Sequence, residues 1–198
     1  QGTRMKSRSP KVLQPLAGRH LLAHVIDAAN TLDPARIHVV YGHGGAEVKA
    51  AFNGVDVNWV EQSEQLGTGH AVLQAMPDIP DDAQVLVLYG DVPLTSKDTL
   101  NSLVEGASGN VGAILSIRLP DPSGYGRIVR QEGGALSHIV EQKDASNDEL
   151  AIDEVNTGLV VFAANRLRSW LDQLGNNNAQ GEYYLTDVAG LAVAQGES

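Results

Sequence analysis

The sequence contains no cysteine, which excludes disulfide bridges and metal clusters held by cysteine. This composition fits a reducing compartment such as the cytoplasm. The sequence also has no apolar run near the roughly 20 residues that span a membrane, and its first residues do not form a signal peptide. We therefore expect a soluble, cytoplasmic globular protein that makes no membrane contact.

Positive charge is also scarce, with 14 Lys and Arg residues against 24 Asp and Glu residues and a formal net charge of −10. An acidic protein repels a polyanion, which argues against nucleic acid as a ligand. The first eleven residues, QGTRMKSRSPK, are nevertheless basic, and they indicate a small anionic ligand such as a phosphorylated molecule. The 198 residues, 42% of them hydrophobic, suffice for one domain with its own core.

Strand-like and helix-like segments alternate in the first half of the chain. Apolar residues recur at helical spacing over about residues 20–32, which predicts a helix that ends at Asp33-Pro34. Strands are predicted at RIHVVYG, VNWVEQ and QVLVLYGD, and helices at EVKAAF, TGHAVLQAM and SKDTLNSLVEGA, the last with Thr95 or Ser96 as N-cap. The nearly continuous apolar run in QVLVLYGD indicates a strand buried on both faces, as in a parallel sheet. The alternation predicts a Rossmann-like, doubly wound α/β fold with a mixed sheet.

The second half of the chain has a different order of predicted strands and helices. The segment YGRIVRQEGGALSHIVEQ predicts two short strands joined by a Glu-Gly-Gly turn, and hence a small antiparallel insertion. A strand at VGAILSIRL precedes it, and a strand at NTGLVVFAA with helices at RLRSWLDQL and YYLTDVAGLAVAQ follow. Because ligands of open α/β sheets bind beyond the carboxyl ends of the strands, the polar residues after the first-half strands are expected to converge at one edge.

Two charged motifs would suit a phosphate and a metal ion. In GTRM, followed by Pro10-Lys11, Gly2 permits close approach of the backbone to a phosphate, and Arg4 and Lys11 supply neutralising charge. Asp91 ends a predicted strand, where a carboxylate can hold a divalent ion that bridges substrate phosphates. Taken singly, the first motif could be an exposed basic loop, and Asp91 could be a turn residue.

Two groups of polar residues would suit a base and a sugar. Gln62 offers a donor and an acceptor that match one edge of uracil, and Gly67 and Thr68 open a helix with free N–H groups. The sugar-side candidates are the Gly126 amide and the Glu141 and Asn156 side chains, which can hydrogen bond to sugar hydroxyls or an acetamide. The competing interpretations are an ordinary helix start, a solvated charge and a turn residue.

Together these motifs resemble the pyrophosphorylase domain of the bacterial N-acetylglucosamine-1-phosphate uridyltransferases. The matching segments occur in order and with compatible spacing: GTRM, PKVL, EQLGTGHA, YGDVPL, GYGRI, VEQKDA, EVNTGL and NNNAQGEYYLTD. The resemblance covers essentially the whole chain. EQLGTGHA and NNNAQGEYYLTD are specific to this family, whereas GTRM with PK marks the wider sugar-nucleotidyltransferase superfamily.

The resemblance implies a reaction of UTP with N-acetylglucosamine 1-phosphate that gives the cell-wall precursor UDP-N-acetylglucosamine and pyrophosphate, with Mg²⁺ as cofactor. Because the sugar phosphate is already largely a dianion, the enzyme needs charge neutralisation and in-line positioning rather than a strong base. The implied roles are as follows: Arg4 and Lys11 catalytic; Gly2, Lys11, Gln62, Gly67 and Thr68 nucleotide-binding; Tyr89, Gly126, Glu141 and Asn156 sugar-binding; and Asp91 metal-binding.

The family pattern is longer than residues 1–198. It begins with a Leu-Ala-Ala-Gly strand before GTRM and continues to an asparagine that completes the magnesium site. In the bifunctional enzymes an acetyltransferase β-helix that drives trimer formation follows. We therefore expect residues 1–198 to be a uridyltransferase domain that lacks its first strand and carboxyl-terminal part, has no acetyltransferase domain, and is unstable and inactive alone.

Two alternative functions remain open. The chain could be a pyrophosphorylase for another sugar phosphate or nucleotide, which a substrate panel would reveal. It could also be a catalytically inactive domain that binds nucleotide sugars, although the presence of Arg4, Lys11 and Asp91 argues against such decay.

Overall fold

A computed structural model describes residues 9–197, so the predicted phosphate-binding residues Gly2 and Arg4 lie outside the described part of the chain. The chain divides into two compact units. The first unit contains residues 9–65 and 88–102, and the second contains residues 66–87 and 103–197. Each unit is described separately below.

The first unit has two small sheets and two helices. Its elements are a 3-10 helix at Lys11–Leu13, β1 (Pro15–Leu16), β2 (Arg19–His20), α1 (Leu21–Asn30), β3 (His38–Tyr41), α2 (Gly45–Ala51) and β4 (Asn58–Glu61). β1 and β2 form an antiparallel hairpin, whereas β3 and β4 pair in parallel. The parallel pair and its flanking helices confirm the alternation of strands and helices predicted for this region.

The core of the first unit forms where α1 and α2 bury their apolar faces. Leu22 and Ile26 lie one turn apart on α1 and pack with Val48 and Phe52 from the region of α2. Leu13, from the 3-10 helix, completes this buried cluster. The four-residue spacing of the α1 pair is the periodicity that predicted the helix, since such residues share one helical face.

The second unit contains a five-stranded sheet with helices. Its elements are α3 (Thr68–Ala75), β5 (Gln84–Val87), α4 (Lys97–Gly106), β6 (Gly112–Arg118), β7 (Arg127–Arg130), β8 (Leu136–Val140), α5 (Asn147–Leu150), β9 (Glu154–Ala163), α6 (Ala164–Leu171) and α7 (Asp187–Ala194), and the boundary between the units falls within α4. Ser96 Oγ accepts a hydrogen bond from the Thr99 N–H at 3.2 Å, which supports the predicted N-cap.

β9 is the strand around which this sheet is built. Its second half pairs antiparallel with β5 and β6, and its first half pairs antiparallel with β6 and β7. β7 and β8 form the predicted antiparallel hairpin, whose turn places Gly133 and Gly134 at positive φ. The sheet therefore joins the insertion to the rest of the unit through a single ten-residue strand.

Two sequence-based expectations need correction at the level of elements. β5 pairs antiparallel with β9 in the described part of the chain, not in parallel, and its residues are exposed or half-buried rather than buried. An apolar run does not determine the direction of the neighbouring strand. The last predicted helix starts four residues late, at Asp187. Tyr183 instead makes backbone hydrogen bonds with Leu66 and Gly69, and the Leu185 N–H donates to the Thr68 side chain.

Among residues 9–197, β3 and β5 each pair with one strand. The other edge of each strand is therefore open within the described residues. An open edge can accept another strand. The expectation that residues 1–198 lack a strand stays a prediction. Among the described residues, no helix is both long enough and apolar enough to cross a membrane.

The core of the second unit is centred on Trp170, which is fully buried. Its ring meets that of Phe162 edge-on, with centroids 6.1 Å apart, and its Nε1 donates to Gln195 Oε1 at 3.1 Å. This arrangement connects β9, α6 and the end of α7. It buries a large apolar ring and satisfies the indole N–H.

A buried carboxylate lies at the first residue of β9. Glu154 accepts hydrogen bonds from Arg130 at 2.6 and 2.9 Å and from the Ser116 hydroxyl at 2.7 Å, and Arg118 lies 3.5 Å away. Hydrogen bonding by Arg130 lowers the pKa of Glu154 from 4.5 to about 2. The charged form therefore stabilises the fold at neutral pH.

We predict that Glu154→Gln lowers the free energy of unfolding at pH 7 by about 1–3 kcal/mol, because it removes charged hydrogen bonds from a buried site. Since folding lowers the pKa of Glu154, the difference from wild type should shrink as pH falls from about 4.5 towards 2. Urea denaturation across this pH range measures the effect.

The matched control is Asp153→Asn, which affects an exposed ion pair with Arg118. Exposed pairs contribute about 0–1 kcal/mol, so the control should lose less stability. If Glu154→Gln lowered the free energy of unfolding by the same amount at pH 7 and at pH 3, the lowered pKa of Glu154 would be contradicted.

Candidate active site

The first unit brings the predicted phosphate-binding lysine directly to the predicted metal ligand. Lys11 Nζ lies 2.5 Å from Asp91 Oδ2, although the two residues are 80 positions apart in the sequence. Gly90 permits this contact, since a Cβ there would lie 3.1 Å from Val12 Cγ1 and 3.3 Å from Leu22 Cδ1. The glycine therefore lets the turn after β5 pack closely against the segment that carries Lys11.

The residues around Asp91 fit a magnesium ion that is held mainly by substrate. Mg²⁺ typically takes one or two protein carboxylates together with substrate phosphates and water. Asp91 supplies one partly exposed carboxylate, and residues 9–197 contain no group of three or more His, Asp or Glu side chains that could hold a metal. Because Lys11 already contacts this carboxylate, the ammonium group would have to share or leave it when an ion binds.

The predicted uracil-binding residue Gln62 follows β4 and is buried. Its backbone N–H donates to the Tyr41 carbonyl at 2.8 Å, which extends the β3–β4 pairing by one bond. Its carbonyl accepts from Gln65 Nε2 at 2.9 Å. Gln65 also lies against Gly42, where a Cβ would come within 2.8 Å of Gln65 Nε2, so Gly42 and Gln65 together fix the backbone around Gln62.

In the second unit the two most specific sequence motifs pair with each other through their backbones. Gly69 N–H donates to the Tyr183 carbonyl, and Tyr183 N–H donates to the Leu66 carbonyl, each at 2.8 Å. Gly67 has φ +114°, and a Cβ on it would lie 2.6 Å from the Tyr183 oxygen. The glycine is therefore required both by its own conformation and by the backbone packed against it.

Thr68 uses its side chain in the same contact. Its Oγ1 accepts a hydrogen bond from the Leu185 N–H at 3.0 Å. Leu185 is buried, so this N–H has no ready access to water. Thr68 thus has a structural role besides the nucleotide-binding role that the sequence predicts.

The three predicted sugar-binding residues of the second unit meet around one glycine. The Gly126 carbonyl accepts a hydrogen bond from the Asn156 N–H at 2.9 Å. A Cβ on Gly126 would lie only 3.6 Å from Glu141 Cδ. Residues from the start of β7, the end of β8 and the start of β9 therefore come together, as the sheet register requires.

A bulge in β9 orients the Asn156 side chain. Between β6 and β9 the register shifts after Ile114, and Gly158 in the extra segment has φ +86°. Asn156 Oδ1 accepts the Gly158 N–H at 3.0 Å, and Thr157 Oγ1 donates to the Leu115 carbonyl at 2.7 Å. The amide oxygen of Asn156 thus has a backbone partner, and its Nδ2 is the group suited to donate to a ligand.

Glu141 is oriented by the segment that precedes α7. Thr186 Oγ1 donates to Glu141 Oε1 at 3.0 Å. Burial raises the pKa of Asp187, and the negative charges of Glu141 and Asp144 raise it further. This acidic environment disfavours a phosphate and suits the hydroxyl and amide donors of a sugar.

The segment NNNAQGEYYLTD also contacts VEQKDA directly. Asp144 accepts hydrogen bonds from the Ala179 N–H at 2.8 Å and from the Tyr184 hydroxyl at 3.3 Å, and Lys143 donates to Gln180 at 2.9 Å. Sequence reasoning noted these two motifs but assigned no role to Thr186 or Gln65. The contact of Thr186 with Glu141 and that of Gln65 with Gly42 could not be inferred from spacing, because those partners are distant in sequence.

The structure thus brings Lys11 to Asp91 in the first unit, and Gly126, Glu141 and Asn156 to one another in the second. Tyr89 and Gln62 lie in the first unit, and Gly67 and Thr68 lie in the second. The mixed α/β fold together with the family match identifies a nucleotidyltransferase. The chain matches the MobA-like NTP transferase domain over residues 1–187 and belongs to that family.

Curated relatives of the chain are close in sequence. It is 55% identical over 198 residues to the bifunctional protein GlmU of Marinobacter nauticus, covering 100% of this chain and 44% of that protein. It is 57% identical over 196 residues to the bifunctional protein GlmU of Halorhodospira halophila, covering 99% and 41%. The chain therefore spans less than half the length of these relatives, and the matches confirm the resemblance that the motifs indicate.

Solved structures show the same fold at low sequence identity. A UDP-glucose pyrophosphorylase in complex with UDP-glucose superposes with a TM-score of 0.76 at 16% identity, covering 96% of this chain and 80% of that one. The apo form of a UDP-glucose pyrophosphorylase gives a TM-score of 0.72 at 15% identity, covering 95% and 80%. These similarities establish the mixed α/β nucleotidyltransferase fold.

We predict that Thr68→Val lowers the free energy of unfolding by about 1–3 kcal/mol, because it leaves the buried Leu185 N–H without its acceptor. Thr68→Ser keeps the hydroxyl and should lose much less. Urea denaturation of both variants measures the effect. Equal stability of the Val variant and the wild type would show that this hydrogen bond does not hold the two motifs together.

Proposed function

We propose that the protein transfers the uridylyl group of UTP to N-acetylglucosamine 1-phosphate, giving UDP-N-acetylglucosamine and pyrophosphate. The observation that carries the proposal is the meeting of Gly126, Glu141 and Asn156 around one peptide, as the sequence resemblance requires of a sugar subsite. The high identity to GlmU proteins supports the same substrates. Such a product would serve cell-wall synthesis in the cytoplasm.

In the proposed reaction a phosphate oxygen of the sugar phosphate attacks the α-phosphorus of UTP. The bond between this phosphorus and the bridging oxygen breaks, and pyrophosphate leaves with the bond electrons. No proton has to move, because the attacking phosphate is already largely a dianion. The protein therefore acts by neutralising charge and by holding the two phosphates in line.

The cationic residues serve the triphosphate in this proposal. Gly2 lets the backbone approach the phosphates, while Arg4 and Lys11 neutralise them. Lys11 would exchange its contact with Asp91 for a phosphate oxygen when UTP binds. A bound Mg²⁺ would supply charge neutralisation at the leaving pyrophosphate, with Asp91 as its protein ligand.

The polar residues serve the base and the sugar. Gln62 would read the N3–H and O4 edge of uracil, and the backbone at Gly67 and Thr68 would hold the nucleoside. On the sugar side, Glu141 would accept from hydroxyl groups, and Asn156 Nδ2 would donate. The Gly126 amide and Tyr89 complete the proposed sugar contacts. We further propose that the whole protein is a homotrimer built through a β-helix domain.

A substrate panel tests the proposed activity. The protein as its gene encodes it is assayed for pyrophosphate release with UTP, CTP or dTTP, each paired with N-acetylglucosamine 1-phosphate or glucose 1-phosphate. We expect kcat/KM to be highest for UTP with N-acetylglucosamine 1-phosphate. A higher value for another pair would identify a different pyrophosphorylase, and binding without turnover of any pair would identify an inactive binding domain.

We predict that Asp91→Asn lowers kcat by about 100-fold or more but changes the Kd for UTP only a few-fold, because the metal matters most as charge develops on pyrophosphate. The matched control is Asp98→Asn, which removes an exposed carboxylate from α4 and should change neither constant. Stopped-flow turnover and calorimetric titration of UTP give the two constants. Equal losses in kcat and UTP affinity would exclude a transition-state role.

A further inference from the structure

Arg127 is a buried cation to which the proposed mechanism assigns no role. It is only 2% exposed, at the first residue of β7, and it follows the sugar-side Gly126 directly. Among residues 9–197 it has no ion-pair partner within 4 Å, unlike Arg130 on the same strand, which pairs with Glu154. Burying a guanidinium is costly unless its donors are used, so the groups that it contacts are informative.

The guanidinium of Arg127 contacts the loop that leads into Gly126. One Nη donates to the Tyr125 carbonyl, and the other lies 3.5 Å from Gln142 Oε1. Gln142 Oε1 also accepts the Gly124 N–H. Arg127 and Gln142 therefore hold residues 124–126 in place through these hydrogen bonds. Within the described chain the Arg127 Nε has no hydrogen-bond partner.

The hydrogen bond to Tyr125 determines the direction of the Gly126 N–H. The Tyr125 carbonyl and the Gly126 N–H belong to the same planar peptide group, and in a trans peptide they point in opposite directions. Fixing the carbonyl towards the buried guanidinium therefore fixes the N–H away from it. A charged donor on the carbonyl also polarises the peptide and makes its N–H a stronger donor.

We propose that Arg127 is a positioning residue for sugar recognition, which orients and polarises the Tyr125–Gly126 peptide so that its N–H donates to an oxygen of the sugar. The acceptor class is a hydroxyl or acetamide oxygen of a hexosamine phosphate. This inference rests on the proposed function, because it concerns the same sugar subsite. Arg127 itself does not touch the substrate in this assignment.

The experiment compares Arg127→Met with Arg130→Met in the protein as its gene encodes it. Both variants remove a guanidinium from β7, but only the first one contacts the Tyr125–Gly126 peptide. We expect Arg127→Met to raise the KM for N-acetylglucosamine 1-phosphate about tenfold while the KM for UTP stays within about twofold. Arg130→Met should lower the melting temperature and leave both KM values unchanged.

Two further measurements separate positioning from simple loss of structure. Arg127→Lys keeps a charged donor and should recover part of the lost sugar affinity. If the Met variant does not fold, the KM values of the Lys variant decide whether Arg127 positions the peptide. Calorimetric Kd values for UDP-N-acetylglucosamine and for UDP give the sugar contribution without turnover. The ratio of the Kd for UDP-N-acetylglucosamine to the Kd for UDP should rise about tenfold in Arg127→Met relative to wild type.

The outcomes are distinct for the two proposals. If the wild type neither forms UDP-N-acetylglucosamine nor binds it more tightly than UDP, the proposed function fails. If the wild type does both but the Arg127 variants affect UTP and sugar phosphate equally, or only melt earlier, Arg127 is structural and the inference is overturned. A selective loss for the sugar that Lys partly restores supports it.

Discussion

Gly67 and Tyr183 lie so close together that a single methyl group between them would come within 2.6 Å of a backbone oxygen. Backbone hydrogen bonds from Tyr183 to Leu66 and Gly69 accompany this approach, and Thr68 adds a side-chain bond to Leu185. The same segment continues to Thr186, which orients Glu141. The positions of Gly67 and Thr68 therefore depend on this close backbone contact, and the same segment also orients Glu141.

The charge distribution of the protein explains how an acidic chain could handle anionic substrates. Two of its cations make specific contacts. Lys11 pairs with Asp91, and Arg127 donates to the Tyr125 carbonyl of the peptide that joins Tyr125 to Gly126. In the second unit, burial and the negative charges of Glu141 and Asp144 raise the pKa of Asp187. Under the proposed function, Lys11 would serve the triphosphate and Glu141 would accept from the sugar hydroxyls.

Most secondary structure could be predicted from the sequence because it follows from local pattern. Leu22 and Ile26 lie one turn apart, which predicted α1, and paired glycines predicted the β7–β8 hairpin. The prediction of a helix failed at residues 183–186, where Tyr183 and Leu185 bond to residues 66–69. There, tertiary hydrogen bonds outweigh weak helix propensity.

By itself the sequence determined which residue types are available at the site and which family they indicate, since motifs such as EQLGTGHA and NNNAQGEYYLTD are local strings. Only the tertiary structure decided that these two motifs pair with each other, that Lys11 contacts Asp91 across 80 positions, and that Arg127 donates to the Tyr125 carbonyl while buried. The physical reason is that such contacts depend on strand register and on close approach at glycines. Neither quantity is a property of any short segment of the chain.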